Sequence, residues 1–122
     1  MDTNALIAVL NGEAGVEQIL QETRQLVPVV ACGELYFGAA NSSREKENKE
    51  KLEGFLEECE VVGVDLDTAR VFGKVRAQLK RAGNPIPAND MWIASIALQH
   101  GIPLLSKDAH FDTVAGLEVV RW

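Results

Sequence analysis

Short apolar runs, rich in β-branched residues, alternate along this chain with segments whose apolar residues recur every three or four positions. That alternation restricts the fold to helices packed on a mostly parallel sheet. Residues 27–31, 61–64, 102–106 and 117–120 read as strands. Leu6, Ile7 and Leu10 share a helical face that Asp2 or Thr3 can cap, and a second helix is expected over 13–23 with Val16, Ile19 and Leu20 inward. Leu35, Tyr36 and Ala39 mark a helix over 32–40, directly after the first strand. Segment 43–60 is heavily charged but carries Leu52, Phe55, Leu56 and Cys59 on one stripe, the pattern of a surface helix. Phe72, Val75 and Leu79 mark a helix over 67–82 that Gly83 stops ahead of the Pro-containing loop 84–88, and a last helix spans 89–100 before Gly101. The expected architecture is a three-layer α/β/α sandwich. An apolar opening strand is missing, because Asp2 follows Met1 at once, so the first strand is read as short or truncated.

With 122 residues the chain is expected to form one domain over 1–122, and a domain of that size removes roughly 65–70% of its unfolded surface from water. No apolar run approaches the ~20 residues that cross a bilayer, and no basic segment leads into an apolar stretch at the start. The expected location is therefore the cytoplasm, with no membrane partner. Cys32 and Cys59 fit neither a metal-finger spacing nor a CxxC pair and read as buried free thiols. A net charge of −6 argues against a protein that coats nucleic acid by bulk attraction. It leaves room for a nuclease, since acids that hold divalent cations count as negative only while the cations are ignored.

The acids are where chemistry enters. Asp108 falls just past the strand ending near Ser106, and Glu34 just past the strand ending near Ala31, in the first turn of its helix. Asp90 opens a helix, and helices antiparallel to the strands begin at the same sheet edge; Asp2 sits where a first strand would end. Any one of Asp2, Glu34 or Asp90 is explained by the helix dipole alone, worth about 0.3–1 kcal/mol. Four carboxylates at the carboxyl edge of an α/β sheet are instead in the usual place for a ligand site. Oxygen-only ligands suit a hard cation such as Mg²⁺ or Mn²⁺, which can activate water against a phosphoryl group.

At these residues the chain resembles the PIN-domain family, and within it the VapC-like toxins of toxin–antitoxin pairs. The resemblance lies in Asp2-Thr3-Asn4, in Gly33-Glu34-Leu35-Tyr36-Phe37-Gly38, in Asn89-Asp90-Met91-Trp92-Ile93-Ala94 behind a Pro-Ile-Pro loop, and in Leu105-Ser106-Lys107-Asp108 followed by His110-Phe111. It implies a metal-dependent endoribonuclease in which Asp2, Glu34, Asp90 and Asp108 are the catalytic, metal-binding acids, supported by hydrogen bonds from Asn4 and Ser106. It also implies a homodimer, an RNA substrate such as tRNA or rRNA, and a cognate antitoxin. Some relatives carry a further acid where His110 stands, so no fifth ligand is expected there. A lone histidine beside an aromatic reads as a surface or packing residue, Trp92 as a packing residue, and Asp112 as a cap of its turn.

The stretch 67–83 holds Arg70, Lys74, Arg76, Lys80 and Arg81 against one acid, a candidate RNA-facing surface or an ordinary solvated helix face. Two other readings compete with the nuclease. One is a catalytically inactive PIN-like module that binds RNA or protein, with the acids serving as caps. The other is a phosphorelay receiver, which fits poorly because the third acid opens a helix after a Pro-rich loop instead of ending a strand.

Overall fold

In the computed structural model, residues 1–13, 15 and 26–122 are described. The helix expected over 13–23 lies outside the described residues apart from its first positions. Five helices are described, α1 (Thr3–Leu10), α2 (Val29–Ala40), α3 (Glu45–Glu57), α4 (Leu66–Ala82) and α5 (Ala88–Gln99), with strands β1 (Leu26–Pro28), β2 (Glu60–Val62), β3 (Leu104–Leu105) and β4 (Val119–Val120). A single 3-10 turn, Ala109–Thr113, separates β3 from β4. No helix among the described residues is long and apolar enough to cross a membrane.

All strand pairing among the described residues is parallel. Leu26, Val27 and Pro28 face Glu60, Val61 and Val62, while Leu104 and Leu105 face Val119 and Val120. The chain start lies between the two pairs: the Met1 amine donates to the Leu26 carbonyl at 3.2 Å and the Asp2 N–H to the Leu105 carbonyl at 3.3 Å. Met1 and Asp2 thus bridge the two strand pairs, and this brings Asp2 to the sheet edge. Backbone groups buried at that position need partners, which these two bonds supply.

Strand one of the pattern is shorter than its valines suggest. Residues 27–31 were expected to be extended, yet β1 ends at Pro28, and Val29 and Val30 open α2. Proline has no N–H to give to the ladder, so pairing stops there, and packing of α2 overrides the strand preference of the valines. Glu34 consequently sits in the second turn of its helix, not the first.

The remaining elements follow their sequence signals. Asp65 and Thr68 form a reciprocal capping box at the start of α4, and Gly83 closes that helix with φ +70°, a backbone region that costs a side-chain-bearing residue energy. Leu52 of α3 is buried, with Phe55, Leu56 and Cys59 packed beside it. Helix α5 presents apolar residues on all sides and is correspondingly enclosed: Met91, Ile93, Ala94, Ile96 and Ala97 are buried, and the buried Ser95 hydroxyl donates to the Met91 carbonyl at 2.6 Å. It packs on β1, α2 and α4, while α1, α2 and α3 pack on one another. Helices α4 and α5 are antiparallel, tied by the Thr68 hydroxyl donating to Gln99 Oε1 at 2.5 Å. The carboxyl end of α4 and the amino end of α5 therefore lie together, beside the edge that carries Asp90. Cys32 and Cys59 are free thiols, the first buried and the second half-buried.

Candidate functional site

Asp2, Glu34, Asp90 and Asp108 all line one open pocket of about 580 Å³ with Thr3, Asn4, Asn89 and His110. Each acid is delivered by a different local device. Asp2 is the N-cap of α1: its Oδ1 accepts the Ala5 N–H at 2.8 Å. Its Oδ2 accepts the Ser106 hydroxyl at 2.5 Å, and that same hydroxyl accepts the Asp108 N–H at 2.9 Å. Ser106, fully buried at the end of β3, thus joins the first and last acids. Glu34 reaches the pocket from the second turn of α2, where Thr3 Oγ1 donates to its Oε2 at 2.7 Å and Asn89 Nδ2 to its Oε1 at 2.9 Å. Asp90 lies in the first turn of α5, and Asp108 caps the 3-10 turn by accepting the His110 N–H at 2.9 Å.

The tightest grouping holds a residue that sequence reasoning set aside. Asp90, Asp108 and His110 each place a ligand atom within 4.8 Å of the other two, while Asp2 and Glu34 line the pocket outside that group. His110 Nδ1 is 3.2 Å from Asp90 Oδ2 and 3.2 Å from Asp108 Oδ1. Its place two residues after Asp108 is the signal that could have found it: a one-turn 3-10 segment returns the ring to the acid that caps it. Thr3 and Asn89 were also passed over, although each stands next to an acid or one residue from it in its motif. Asn4, expected to support the acids, lies exposed at the pocket. Thr3 is the neighbour that hydrogen-bonds to Glu34.

Electrostatics follow from this crowding. Burial pushes the Asp2 carboxyl above its ordinary 3.8; the Ser106 and Ala5 hydrogen bonds pull it back, and the charge of Asp108 adds to the rise. Asp90 is raised first by burial, against the pull of its His110 contact, with Asp108 and Glu34 raising it further. Partly buried like charges of this kind are relieved by a cation. Oxygen donors from Asp90 and Asp108 beside an imidazole nitrogen fit a divalent metal in type and spacing, and a bound ion would offset the part of the Asp90 rise that comes from its acidic neighbours.

The basic residues of α4 stand apart from the pocket. Arg70, Lys74, Arg76 and Lys80 do not line it, and Arg70 is paired with Asp67. Trp92, one turn into α5, stacks on Phe72 of α4 with ring centroids 3.9 Å apart. Asp112 pairs with Arg121, and His100 caps the carboxyl end of α5.

The sequence pattern of the PIN domain matches residues 1–117. The chain belongs to the PIN-domain family. Among its PIN relatives, the tRNA(fMet)-specific endonuclease VapC of Shigella flexneri is 30% identical, the match covering 100% of this chain and 96% of that one. The crystal structure of DNA-bound VapBC from Salmonella typhimurium superposes with a TM-score of 0.92 at 26% identity, covering 99% of this chain and 95% of that one. A member of the VapBC family of toxin–antitoxin systems, VapBC-5 from Mycobacterium tuberculosis, gives a TM-score of 0.70 at 28% identity over 78% of this chain and 79% of that one. Among PIN proteins, then, this chain stands with the VapC ribonucleases, and its short parallel strands between helices are the PIN arrangement.

Proposed function

We propose that the chain is a metal-dependent endoribonuclease, the toxin of a toxin–antitoxin pair, with Asp2, Glu34, Asp90 and Asp108 as its catalytic acids and Mg²⁺ or Mn²⁺ as its cofactor. The observation that carries this reading is the convergence of four acids, from four separate elements, on one pocket of a PIN-family chain. The reaction is hydrolysis: water adds at phosphorus in line with the departing ribose oxygen, whose bond to phosphorus breaks. The metal, when bound, supplies Lewis acidity to the phosphoryl group and makes water more acidic. Asp90 and Asp108, with Asp2 behind them, would hold it. Ser106 fixes Asp2 and Asp108 relative to each other, while Thr3 and Asn89 use both Glu34 oxygens and so fix the plane of that carboxylate.

RNA, tRNA or rRNA by resemblance, is the proposed substrate. Arg70, Lys74, Arg76 and Lys80, all exposed on α4, are the proposed contacts to RNA phosphates away from the acidic pocket. A protein partner is supported by a second cleft of about 250 Å³ between α1, α2 and α3, lined by Ile7, Leu10, Leu35 and Leu52 and also touching Glu34. Ile7 remains 43% exposed in that cleft, and Phe37, elsewhere on α2, is 71% exposed, apolar surface that an antitoxin would cover. A homodimer and a cytoplasmic location complete the reading. The test is incubation of the purified chain with total RNA, with EDTA, Mg²⁺ or Mn²⁺, and mapping of new ends. Cuts that need the metal and vanish in Asp90→Asn and Asp108→Asn are expected; cutting that survives both substitutions would remove the site from the mechanism.

A further inference from the structure

Among the described side chains lining the acidic pocket, His110 carries the only basic nitrogen. Its backbone is held in place: the N–H of the same residue donates to Asp108 Oδ1 at 2.9 Å, and the buried Phe111 anchors the turn behind it. The Nδ1 atom lies 3.2 Å from an oxygen of each of two aspartates. An Nδ1 proton directed at Asp90 leaves the Asp108 oxygen facing the same nitrogen without a donor of its own from the ring. A shared cation meets both demands. Two ligands at right angles on a six-coordinate ion with bonds of ~2.1 Å stand about 3.0 Å apart, close to the spacings found here.

We propose that His110 supplies a nitrogen ligand, through Nδ1, to the divalent ion held by Asp90 and Asp108, and that this nitrogen makes the site prefer Mn²⁺ over Mg²⁺. The inference rests on the metal-dependent reading above and adds to it a donor and a selectivity. Mg²⁺ is hard, keeps its waters and gains little from imidazole, whereas first-row transition-metal ions accept nitrogen far more readily. A carboxylate at the same position would leave an oxygen-only set with no such bias.

The test measures binding, not cleavage. Mn²⁺ is titrated into the metal-free chain by electron paramagnetic resonance and calorimetry, with Mg²⁺ as competitor, for the wild type, His110→Gln and His110→Ala. Pulsed resonance on Mn²⁺-loaded wild type reads directly whether a ¹⁴N nucleus is bound, and this measurement does not depend on any variant folding. The expected result is ¹⁴N modulation in the wild type that disappears in His110→Gln, with Mn²⁺ affinity about tenfold weaker and Mg²⁺ affinity changed much less. Mn²⁺ binding without nitrogen modulation, or an unchanged Mn²⁺-to-Mg²⁺ ratio in both variants, overturns the His110 assignment and leaves the nuclease reading standing. A folded wild type that binds neither ion at millimolar concentration overturns both.

Discussion

Replacing Ser106 by alanine removes one hydroxyl and disturbs two acids at once. The side chain is fully buried; it donates to Asp2 Oδ2 at 2.5 Å and accepts the Asp108 N–H at 2.9 Å. A hydrogen bond to a charged group contributes about 1.5–3 kcal/mol, and an N–H left without a partner costs about 1 kcal/mol more. The sum is about 3 kcal/mol, or roughly 10 °C in Tm for a chain of this size. The loss depends on pH in a definite direction. Burial already holds the Asp2 carboxyl above 3.8, and the Ser106 bond pulls it down, so Ser106→Ala lifts it further. A carboxyl raised in the folded state binds protons there that the unfolded chain does not, so stability falls as pH rises from the unfolded value through the folded one. The variant should therefore lose most near pH ~8 and less near pH ~4, where the raised carboxyl takes up more of its proton in the folded state. Urea unfolding of wild type and variant in EDTA at both pH values measures this. A difference that is the same at both, or that stays below about 0.5 kcal/mol, would refute the claim that Ser106 stabilises an ionised Asp2.

Four further outcomes follow from the same geometry. Asp90 is raised by burial and by Asp108 and Glu34, so Asp90→Asn should raise the Tm of the metal-free chain at neutral pH, with the gain shrinking as pH falls toward the ordinary carboxylate range; thermal melts in EDTA would show a variant destabilised at every pH if this is wrong. Mn²⁺ at a hundredfold excess over its Kd should stabilise the wild type by about 2.7 kcal/mol, and Asp108→Asn should abolish that gain in a thermal shift. Phe72→Ala removes the ring stacked on Trp92 and should cost about 2–3 kcal/mol, with a red shift in tryptophan emission, because the indole loses its cover. Charge reversal at Lys74 and Lys80 should flatten the salt dependence of RNA binding by about 0.7 in the log–log slope for each phosphate no longer neutralised, leaving metal binding unchanged.

The parts of this protein that local chemistry controls could be read from its sequence. The stripe of Leu52, Phe55 and Leu56 and the stop at Gly83 act within a turn or two of chain, so their outcome needed no distant partner. Helix α5 was legible from its apolar residues, and Asp90 from its place at the opening of that helix. The same holds for the family, since the four acidic motifs keep their order along the chain.

Other outcomes depended on contacts that sequence distance hides. The end of β1 at Pro28, and the entry of Val29 and Val30 into a helix, were decided when α2 packed against its neighbours, which outweighs a strand preference that reflects packing more than backbone. Met1 and Asp2 were placed between Leu26 and Leu105 by bonds to distant parts of the chain. Ser106 meets Asp2 across 104 positions, and Asn89 meets Glu34 across 55. His110 looked like a surface residue because nothing in its own segment shows that Asp90, 20 positions earlier, ends beside it. Residue types and their order set which chemistry was available to this chain. Folding alone set which oxygens and which nitrogen come within reach of one another, because distances among side chains from separate elements exist only once the core has fixed those elements in space.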